Sequence, residues 1–257
     1  WVQRLMELIK SLILKHPNLK HAFSLRSGGV SPEPWDSLNC SYFVGDKDIN
    51  VKKNQKLILK KLNFEKLFSV KQIHSNKVIQ AENYFSKNAL IEADAIICKK
   101  FNLPISINTA DCAPLLFFDK NELIIGAAHA GWKGAVKGVT DNLIENFQMN
   151  GSKVENIAVA IGPCIGKDSF EVKSDMIKSC IKEDKLSENF FINKSNKDYF
   201  DLGRYLIQKL ENKGLKYIDY INQDTYKNLD KFYSYRREMK KNNPTTGRMI
   251  NIIGLTK

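Results

Sequence analysis

The segment APLLFFDKNELIIGAAHAGWKG, residues 113–134, contains the strongest apolar strand pattern in the sequence. Two apolar runs, 115–118 and 123–128, flank the polar tetrapeptide DKNE. Short apolar runs on either side of a polar turn are typical of a β-hairpin. The second run leads into His129 and a glycine-rich turn. The pattern therefore predicts a buried hairpin that carries a histidine at its end.

Strands and helices alternate along the rest of the chain. Helical spacing of apolar residues marks 52–62, 136–147, 172–181 and 202–212. Apolar runs of strand length occupy 21–25, 68–73, 77–81, 93–98, 104–108, 157–161, 217–221 and 249–255. Hairpin-like pairs mixed with helices predict an α+β fold with mixed sheets and not a doubly wound parallel sheet. Neither GxGxxG nor a P-loop occurs, so a dinucleotide or ATP site has no support.

Length and composition predict one globular catalytic domain over residues 1–257, with 43% hydrophobic residues. No apolar run is long enough to cross a bilayer, so no membrane partner is predicted. At the N-terminus, Arg4, Glu7 and Lys10 stand at helical spacing without a small-residue cleavage site, which predicts a helix and not a signal peptide. Five cysteines without CxxC predict a reducing, cytoplasmic location. The oligomeric state stays open.

The net charge of +12 is spread over dispersed lysines, which we predict to lie on the solvated faces of helices. A groove for single-stranded nucleic acid interleaves basic and aromatic residues, and no such run is present. We therefore predict no nucleic-acid partner. The positive charge suits a phosphate-bearing substrate but does not require one.

Three candidate metal ligands follow predicted strands, where loops gather into sites. His74 comes after one strand, Cys112 after another, and His129 ends the hairpin. Two histidines and a cysteine with a free fourth position suit a catalytic zinc ion. The three residues are far apart in sequence, so the alternative that each is a buried polar residue satisfied locally stays open. The remaining histidines, His16 and His21, are expected to be structural or surface residues.

Five residues are candidates for binding an anion. Arg26 precedes Gly28 and Gly29, whose backbone amides could cradle a phosphate group. Arg236 and Arg237 follow an aromatic segment, and a guanidinium fork binds phosphate oxygens in pairs. A simple turn and a solvated charge pair are the plainer alternatives.

Eleven segments taken together resemble one known family, the laccase-domain family. Its members were first labelled multicopper polyphenol oxidases and are now regarded as purine nucleoside phosphorylases. The resemblance covers nearly the whole chain, from about residue 23 to residue 255. The segments are FSLRSGGVS (23–31), GD (45–46), QIH (72–74), ADA (93–95), TADCAP (109–114), HAGWKG (129–134), IGPCIG (161–166), FEV (170–172), DL (201–202), FYSYRR (232–237) and TGR (246–248).

The resemblance implies a four-layer α/β/β/α architecture, with two packed mixed β-sheets flanked by helices. It implies a metal ion held by His74, Cys112 and His129, with Zn²⁺ expected and copper as the alternative. The implied substrates are a purine nucleoside and phosphate. Adenosine, inosine, guanosine or methylthioadenosine would be cleaved to free base and ribose 1-phosphate, and adenosine would also be deaminated.

Roles for the other residues are hypotheses at this point. Arg26 is the first choice for the phosphate clamp, with Arg236 and Arg237 behind it. Asp111 is a candidate acid/base, a residue that orients its neighbours, or a cap of the turn before Cys112. The H-x-E and P-C-x-x-C signature of the cytidine-type zinc deaminases is absent, so deamination would need another geometry.

Two departures from the family pattern concern the nucleoside pocket. Many relatives carry Cys-Thr where this chain has Asp224-Thr225, and the loop 238–245 is longer than usual. The alternative functions are a copper-dependent polyphenol oxidase and a non-catalytic, metal-stabilised protein. Four histidines are too few for a multicopper enzyme, and no fourth protein ligand is visible to close a structural site.

Overall fold

The fold is taken from a computed structural model and is described for residues 6–85, 91–242 and 245–257. Within these residues the chain forms strands and α-helices in the following order. They are β1 (Leu8–Ile9), β2 (Leu19–Ser24), α1 (Asp48–Leu62), β3 (Phe68–Ser69), β4 (Val78–Gln80), β5 (Ala95–Cys98), β6 (Ile105–Thr109), β7 (Ala113–Asp119), β8 (Ile124–Ala130), α2 (Trp132–Val136), α3 (Val139–Met149), β9 (Ile157–Ile161), β10 (Glu171–Val172), α4 (Ser174–Glu183), β11 (Phe191–Lys194), β12 (Lys197–Phe200), α5 (Leu202–Asn212), β13 (Tyr217–Tyr220), α6 (Tyr235–Lys240) and β14 (Met249–Leu255).

Two mixed sheets form the centre of the molecule. The larger has the strand order β13-β9-β7-β8-β5-β4, and the hairpin β7–β8 stands in its middle with Ala113 opposite Ala130. The second has the order β1-β2-β14-β6-β3. Each sheet contains parallel as well as antiparallel neighbours. A separate small sheet has the order β10-β12-β11.

The sheets pack face to face and helices cover their outer faces. Phe23 and Ile107 from one sheet share a buried cluster with Leu116 and Ile125 from the other. On the far side of the larger sheet, α3 and α5 bury side chains against β7, β8 and β9. On the far side of the second sheet, α1 packs against β2 and β14. The predicted α+β class and the four-layer arrangement are confirmed.

Local sequence explains where several elements begin and end. Asp201 caps α5, because its side chain accepts from the Arg204 amide at 3.1 Å. The predicted helix 136–147 is interrupted at Gly138, whose φ of +83° is a left-handed conformation that glycine adopts without steric cost. The chain therefore forms α2 and α3 instead of one helix, and this turn holds α2 beside the end of β8.

Three predictions from the sequence are wrong in detail. The N-terminal segment forms β1 and pairs with β2 instead of forming a helix, while Arg4 lies outside the described residues. The predicted strand 68–73 is only Phe68–Ser69. The helix predicted from residue 172 begins at Ser174, because Val172 pairs with Asp198 in the small sheet. In the described part of the chain, no helix combines the length and the apolar character needed to cross a membrane.

Candidate metal centre

The side chains of His74, Cys112 and His129 meet at one end of the larger sheet. One ligand atom from each lies within 4.8 Å of the others, and Cys112 Sγ is 3.8 Å from His74 Nε2. The two imidazole rings are nearly perpendicular, with centroids 4.8 Å apart. His74 is exposed, Cys112 is half-buried and His129 is buried. The group therefore extends from the buried side chain of His129 to the exposed side chain of His74.

Asp94, just before β5, holds both histidines in place. Its fully buried carboxylate accepts a hydrogen bond from His129 Nδ1 at 2.8 Å. The same carboxylate accepts from the amides of Ile73, His74 and Ser75, at 3.2, 3.0 and 2.6 Å. A metal-binding histidine commonly donates its second ring N–H to a carboxylate, which fixes the ring and its tautomer. This bond leaves His129 Nε2 free to bind a ligand.

The backbone around the group is shaped to bring its members together. His74 has a φ of +59° and Asp111, next to Cys112, has a φ of +84°. Non-glycine residues in left-handed conformations persist only where surrounding contacts hold them. Gly131 closes the cluster, since a Cβ there would lie 2.8 Å from His74 Cδ2 and 3.0 Å from Cys112 Sγ. Any larger residue at position 131 would push the ligands apart.

Cys112 and His129 stabilise each other's charged forms. Burial works against ionisation of the Cys112 thiol. The positive charge of His129 and hydrogen bonds from both histidines outweigh it and lower the pKa of Cys112 to about 6. Burial also disfavours protonated His129, but the Cys112 thiolate and Asp94 raise the pKa of His129 to about 9. The thiolate, which is the form that binds metals, is thus favoured near neutral pH.

The donor set fits a metal ion. Nitrogen and sulfur atoms bound tetrahedrally at about 2.0–2.3 Å lie roughly 3.5 Å apart. The separation of 3.8 Å between Cys112 Sγ and His74 Nε2 is close to that spacing. Among the described residues, this trio is the one group of at least three His, Cys, Asp or Glu side chains that could hold a metal. Three protein ligands leave a coordination position for a substrate or water.

A cavity of about 420 Å³ opens beside the trio. Its volume lies in the range that small-molecule sites occupy. Asp111, Lys133 and Arg236 are the charged residues on a wall that is otherwise largely apolar. The apolar and aromatic side chains of that wall are Ile73, Ala110, Trp132, Ile165, Phe170, Leu202 and Tyr235.

Comparison with known proteins places the chain in a family. Residues 20–256 match the family described as multi-copper polyphenol oxidoreductase laccase. The chain belongs to this laccase family. The match runs from β2 to β14, so it includes all three candidate ligands and, apart from β1, the strands of both large sheets.

Relatives of this laccase-family chain include proteins named purine nucleoside phosphorylase. The one from Haemophilus influenzae is 34% identical, over 92% of this chain and 95% of the relative. Purine nucleoside phosphorylase YfiH from Escherichia coli is also 34% identical, over 90% and 92% of the two chains. A crystal structure of a Neisseria meningitidis protein superposes with a TM-score of 0.86 at 28% identity, over 98% of this chain and 99% of that one.

Asp111 faces the cavity but is bound to a neighbouring segment. Its carboxylate accepts from Thr225 Oγ1 at 2.7 Å, from Ser234 Oγ at 3.0 Å and from the Arg236 amide at 2.6 Å. Burial raises the pKa of Asp111, and these three donors oppose the rise. The carboxylate fastens the segment before α6 to the turn that carries Cys112.

The two arginines that follow the aromatic segment have different surroundings. Arg236 lines the cavity, donates from Nη1 to the Glu171 carbonyl at 2.7 Å and stacks over the Phe170 ring. Arg237 turns away and donates to the carbonyls of Thr225 and Phe232, at 2.9 and 2.6 Å. The structure therefore brings Arg236, but not the guanidinium of Arg237, to the candidate site.

The turn around Arg26 stands apart from the trio. The guanidinium donates to the carbonyls of Asp36 and Leu229, at 3.0 to 3.1 Å. The amides of Gly28 and Gly29 both donate to Ser37 Oγ, at 3.0 and 3.1 Å. These donors are used within the protein, so the prediction that they clamp phosphate finds no support in this geometry.

Sequence reasoning missed one residue that shapes the centre. Asp94 stands in the segment ADA (93–95), which contributes to the family resemblance. The segment was recognised, but no role was inferred for the Asp94 side chain. A pattern along the chain does not show which residue contacts which, and Asp94 contacts two distant segments, at His74 and His129.

The departure at Asp224 lies behind the cavity wall. Its carboxylate accepts from Ser169 Oγ at 2.6 Å and from the Tyr226 amide at 2.9 Å. The next residue, Thr225, is the one that donates to Asp111. Asp224 therefore acts on the cavity through the position of its neighbours. Part of the longer loop, residues 243–244, lies outside the described residues.

Proposed function

We propose that this chain is a zinc-dependent purine nucleoside phosphorylase, with residues 1–257 as one catalytic domain. It would cleave adenosine, inosine, guanosine or methylthioadenosine with phosphate. The observation that carries the proposal is the group His74, Cys112 and His129, open to an apolar, aromatic-lined cavity. The names of the relatives support the same activity. The five unpaired cysteines support work in a reducing cytoplasm.

The cavity is suited to a purine base. Trp132, Ile165 and Phe170 offer the flat apolar surface that a planar heterocycle needs. Lys133 and Arg236 offer hydrogen-bond donors to ring nitrogens or exocyclic oxygens. A few polar groups on a mostly apolar wall are the usual means of fixing the orientation of a small ligand.

The proposed reaction is a substitution at the sugar carbon C1′. A phosphate oxygen forms a bond to C1′ while the bond between C1′ and the base nitrogen breaks, and its electron pair leaves with the base. The proton lost by phosphate goes to the base. Because the sugar becomes cation-like as the bond breaks, the protein contributes chiefly by positioning the reactants and by stabilising charge.

The residues of the centre would divide this work. His74, Cys112 and His129 would hold Zn²⁺, which acts as a Lewis acid towards an oxygen ligand. Asp94 would keep His129 in the ligating tautomer through the 2.8 Å hydrogen bond. We propose that Asp111 acts by positioning, because its carboxylate accepts from Thr225, Ser234 and the Arg236 amide and so holds that segment beside Cys112.

Copper oxidation is the alternative that the family's description raises. A single copper ion could take the His₂Cys set. A second copper ion would need further ligands, and the chain has only four histidines. His21 Nε2 accepts from the Ser11 amide at 2.9 Å, and His16 Nδ1 accepts from the Asn18 amide at 3.2 Å. Both are held away from the trio, so multicopper chemistry lacks ligands.

Product analysis tests the proposed function. Zinc-loaded protein is incubated with inosine or adenosine, with and without phosphate, beside a Cys112→Ser variant. Cys180→Ser, which changes a buried cysteine in α4, is the matched control. We expect phosphate-dependent release of free base and ribose 1-phosphate, lost in Cys112→Ser and retained in Cys180→Ser.

Two other results would change the assignment. Conversion of adenosine to inosine without phosphate would make the chain a deaminase. No turnover of any purine nucleoside would reject both activities, and oxygen uptake with a phenol by copper-loaded protein would then favour the oxidase.

A further inference from the structure

A second cavity, of about 480 Å³, faces the trio from another side. The two cavities share His74, Ala110, Cys112 and Tyr235 as lining residues. Two of the three candidate metal ligands, His74 and Cys112, therefore lie between the two spaces, and His129 lines the second cavity alone. A substitution at carbon needs this kind of access, because the attacking and leaving groups occupy opposite sides of the reacting atom.

The second cavity is lined by a different kind of residue. Ser41, Gln72 and Asn108 give it hydrogen-bonding groups, and Lys71 and Arg248 give it positive charge. Lys71 is paired with Glu92 at 2.7 Å. Among the described residues, Asn108 Oδ1 is buried without a hydrogen-bond partner, which makes it an acceptor for a ligand hydroxyl group.

Arg248 is the one cation on this wall without a carboxylate partner among the described residues. Its Nη1 donates to the carbonyls of Thr246 and Gly247, at 2.8 and 3.0 Å, and its guanidinium lies over the Tyr235 ring. Within the described ranges, Nε and Nη2 donate no hydrogen bond. Burial lowers the pKa of Arg248 from its ordinary value. A poorly solvated, anchored guanidinium with free donors is suited to an anion.

We propose that the two cavities separate the two substrates, with inorganic phosphate bound by Arg248 and the purine base held beside Trp132. The sugar would lie over the residues that the two cavities share, with C1′ facing phosphate on one side and the base on the other. This assignment rests on the proposed phosphorylase activity. It replaces Arg26 as the phosphate clamp and leaves Arg236 on the side of the base, against Phe170.

The test varies phosphate at saturating inosine, with zinc-loaded Arg248→Met, Arg248→Lys and wild type. Arg204→Met, on the exposed face of α5, is the matched control. We expect the KM for phosphate to rise at least tenfold in Arg248→Met, with the KM for inosine unchanged within twofold. Arg248→Lys should fall between the two, since lysine keeps the charge and loses the fork. Thermal unfolding and metal content are checked for each variant.

Phosphate binding measured by calorimetry without a nucleoside separates this inference from the proposed function. Arg248-dependent phosphate binding by a protein that cleaves no nucleoside would support the phosphate site and reject the phosphorylase. Nucleoside cleavage with the same phosphate KM in wild type and both Arg248 variants would reject the site alone. A rise in phosphate KM in Arg26→Met instead of Arg248→Met would also overturn it.

Discussion

The trio of His74, Cys112 and His129 and the turn at Arg26 have similar sequence features, but the fold gives their polar atoms different partners. Both are polar groups next to buried strands, and both were candidates for ligand binding. In the turn, the guanidinium and two amides donate to Asp36, Leu229 and Ser37 within the protein. In the trio, the ligand atoms face one another and two cavities. Polar atoms that the fold leaves without partners mark the site better than residue type does.

The largest effect on metal binding is expected when Asp94 is replaced. Asp94→Asn removes the charge that holds His129 Nδ1 and weakens the support of the turn at His74. We expect metal affinity to fall about 10- to 100-fold, as for other residues that orient metal ligands. The measurement is competition for Zn²⁺ with a chromogenic chelator.

Asp36→Asn is the matched control, because this carboxylate contacts Arg26 at 3.2 Å and lies in the turn. It should retain zinc as wild type does. Equal zinc affinity in Asp94→Asn and wild type would show that Asp94 supports only the fold.

The next effect is the reactivity of the Cys112 thiol in metal-free protein, which should depend on pH. The pKa of Cys112 is lowered to about 6, so its thiolate forms as pH rises through 6 and is lost below it. Alkylation by iodoacetamide should level off by about pH 7.5, whereas an ordinary thiol with a pKa of about 8.5 would still react faster with rising pH. Bound zinc should block the reaction. Burial raises the pKa of the other cysteines, Cys40, Cys98, Cys164 and Cys180.

Mass mapping after proteolysis shows which cysteine is labelled, and Cys112→Ser should remove the fast phase. A rate that keeps rising to pH 9 would show that His129 does not stabilise the thiolate.

Sequence patterns predicted the elements whose own residues determine them. The hairpin β7–β8 and strand β9 appear where apolar runs predict them, because each is buried on both faces. Elements that depend on distant contacts were missed. β1 exists because it pairs with β2. β3 ends at Ser69, and beyond it Lys71 forms an isolated bridge with Glu92 and the amides of Ile73 and Ser75 donate to Asp94.

The same limit applies to the site. The three candidate ligands could be inferred from residue type, strand ends and family resemblance, and the structure brings them together. The orienting role of Asp94 could not, because it requires positions 74, 94 and 129 to meet in space. Arg26 was favoured because it precedes a pair of glycines, and the sequence does not show that its guanidinium donates to carbonyls within the protein.

Two glycine substitutions should affect different properties, zinc binding at the trio and stability at the turn. Gly131 has a φ of −69°, so Gly131→Ala causes no backbone strain, but its Cβ would meet His74 and Cys112. We expect about tenfold weaker zinc binding. Gly28 has a φ of +94°, and a Cβ there would also lie 2.7 Å from Met6 Cα. Gly28→Ala should therefore lower the free energy of unfolding by at least about 1–2 kcal/mol and leave zinc binding unchanged.

Chelator competition and urea unfolding of the metal-free proteins measure the two effects. If Gly28→Ala lost zinc as readily as Gly131→Ala, the two regions would be coupled and the comparison would fail.

The smallest effect is expected at Arg26 itself. Arg26→Met removes hydrogen bonds to the carbonyls of Asp36 and Leu229 and the contact over the Tyr233 ring. Because these carbonyls lose a charged donor at a partly exposed site, the free energy of unfolding should fall by about 1–2 kcal/mol. Urea unfolding can resolve this difference. Zinc affinity and the KM for phosphate should stay at wild-type values, because Nε, Nη1 and Nη2 of this side chain each donate to Asp36 or Leu229 within the protein. Unchanged stability with a raised KM for phosphate would show instead that Arg26 leaves its carbonyl partners to bind the substrate.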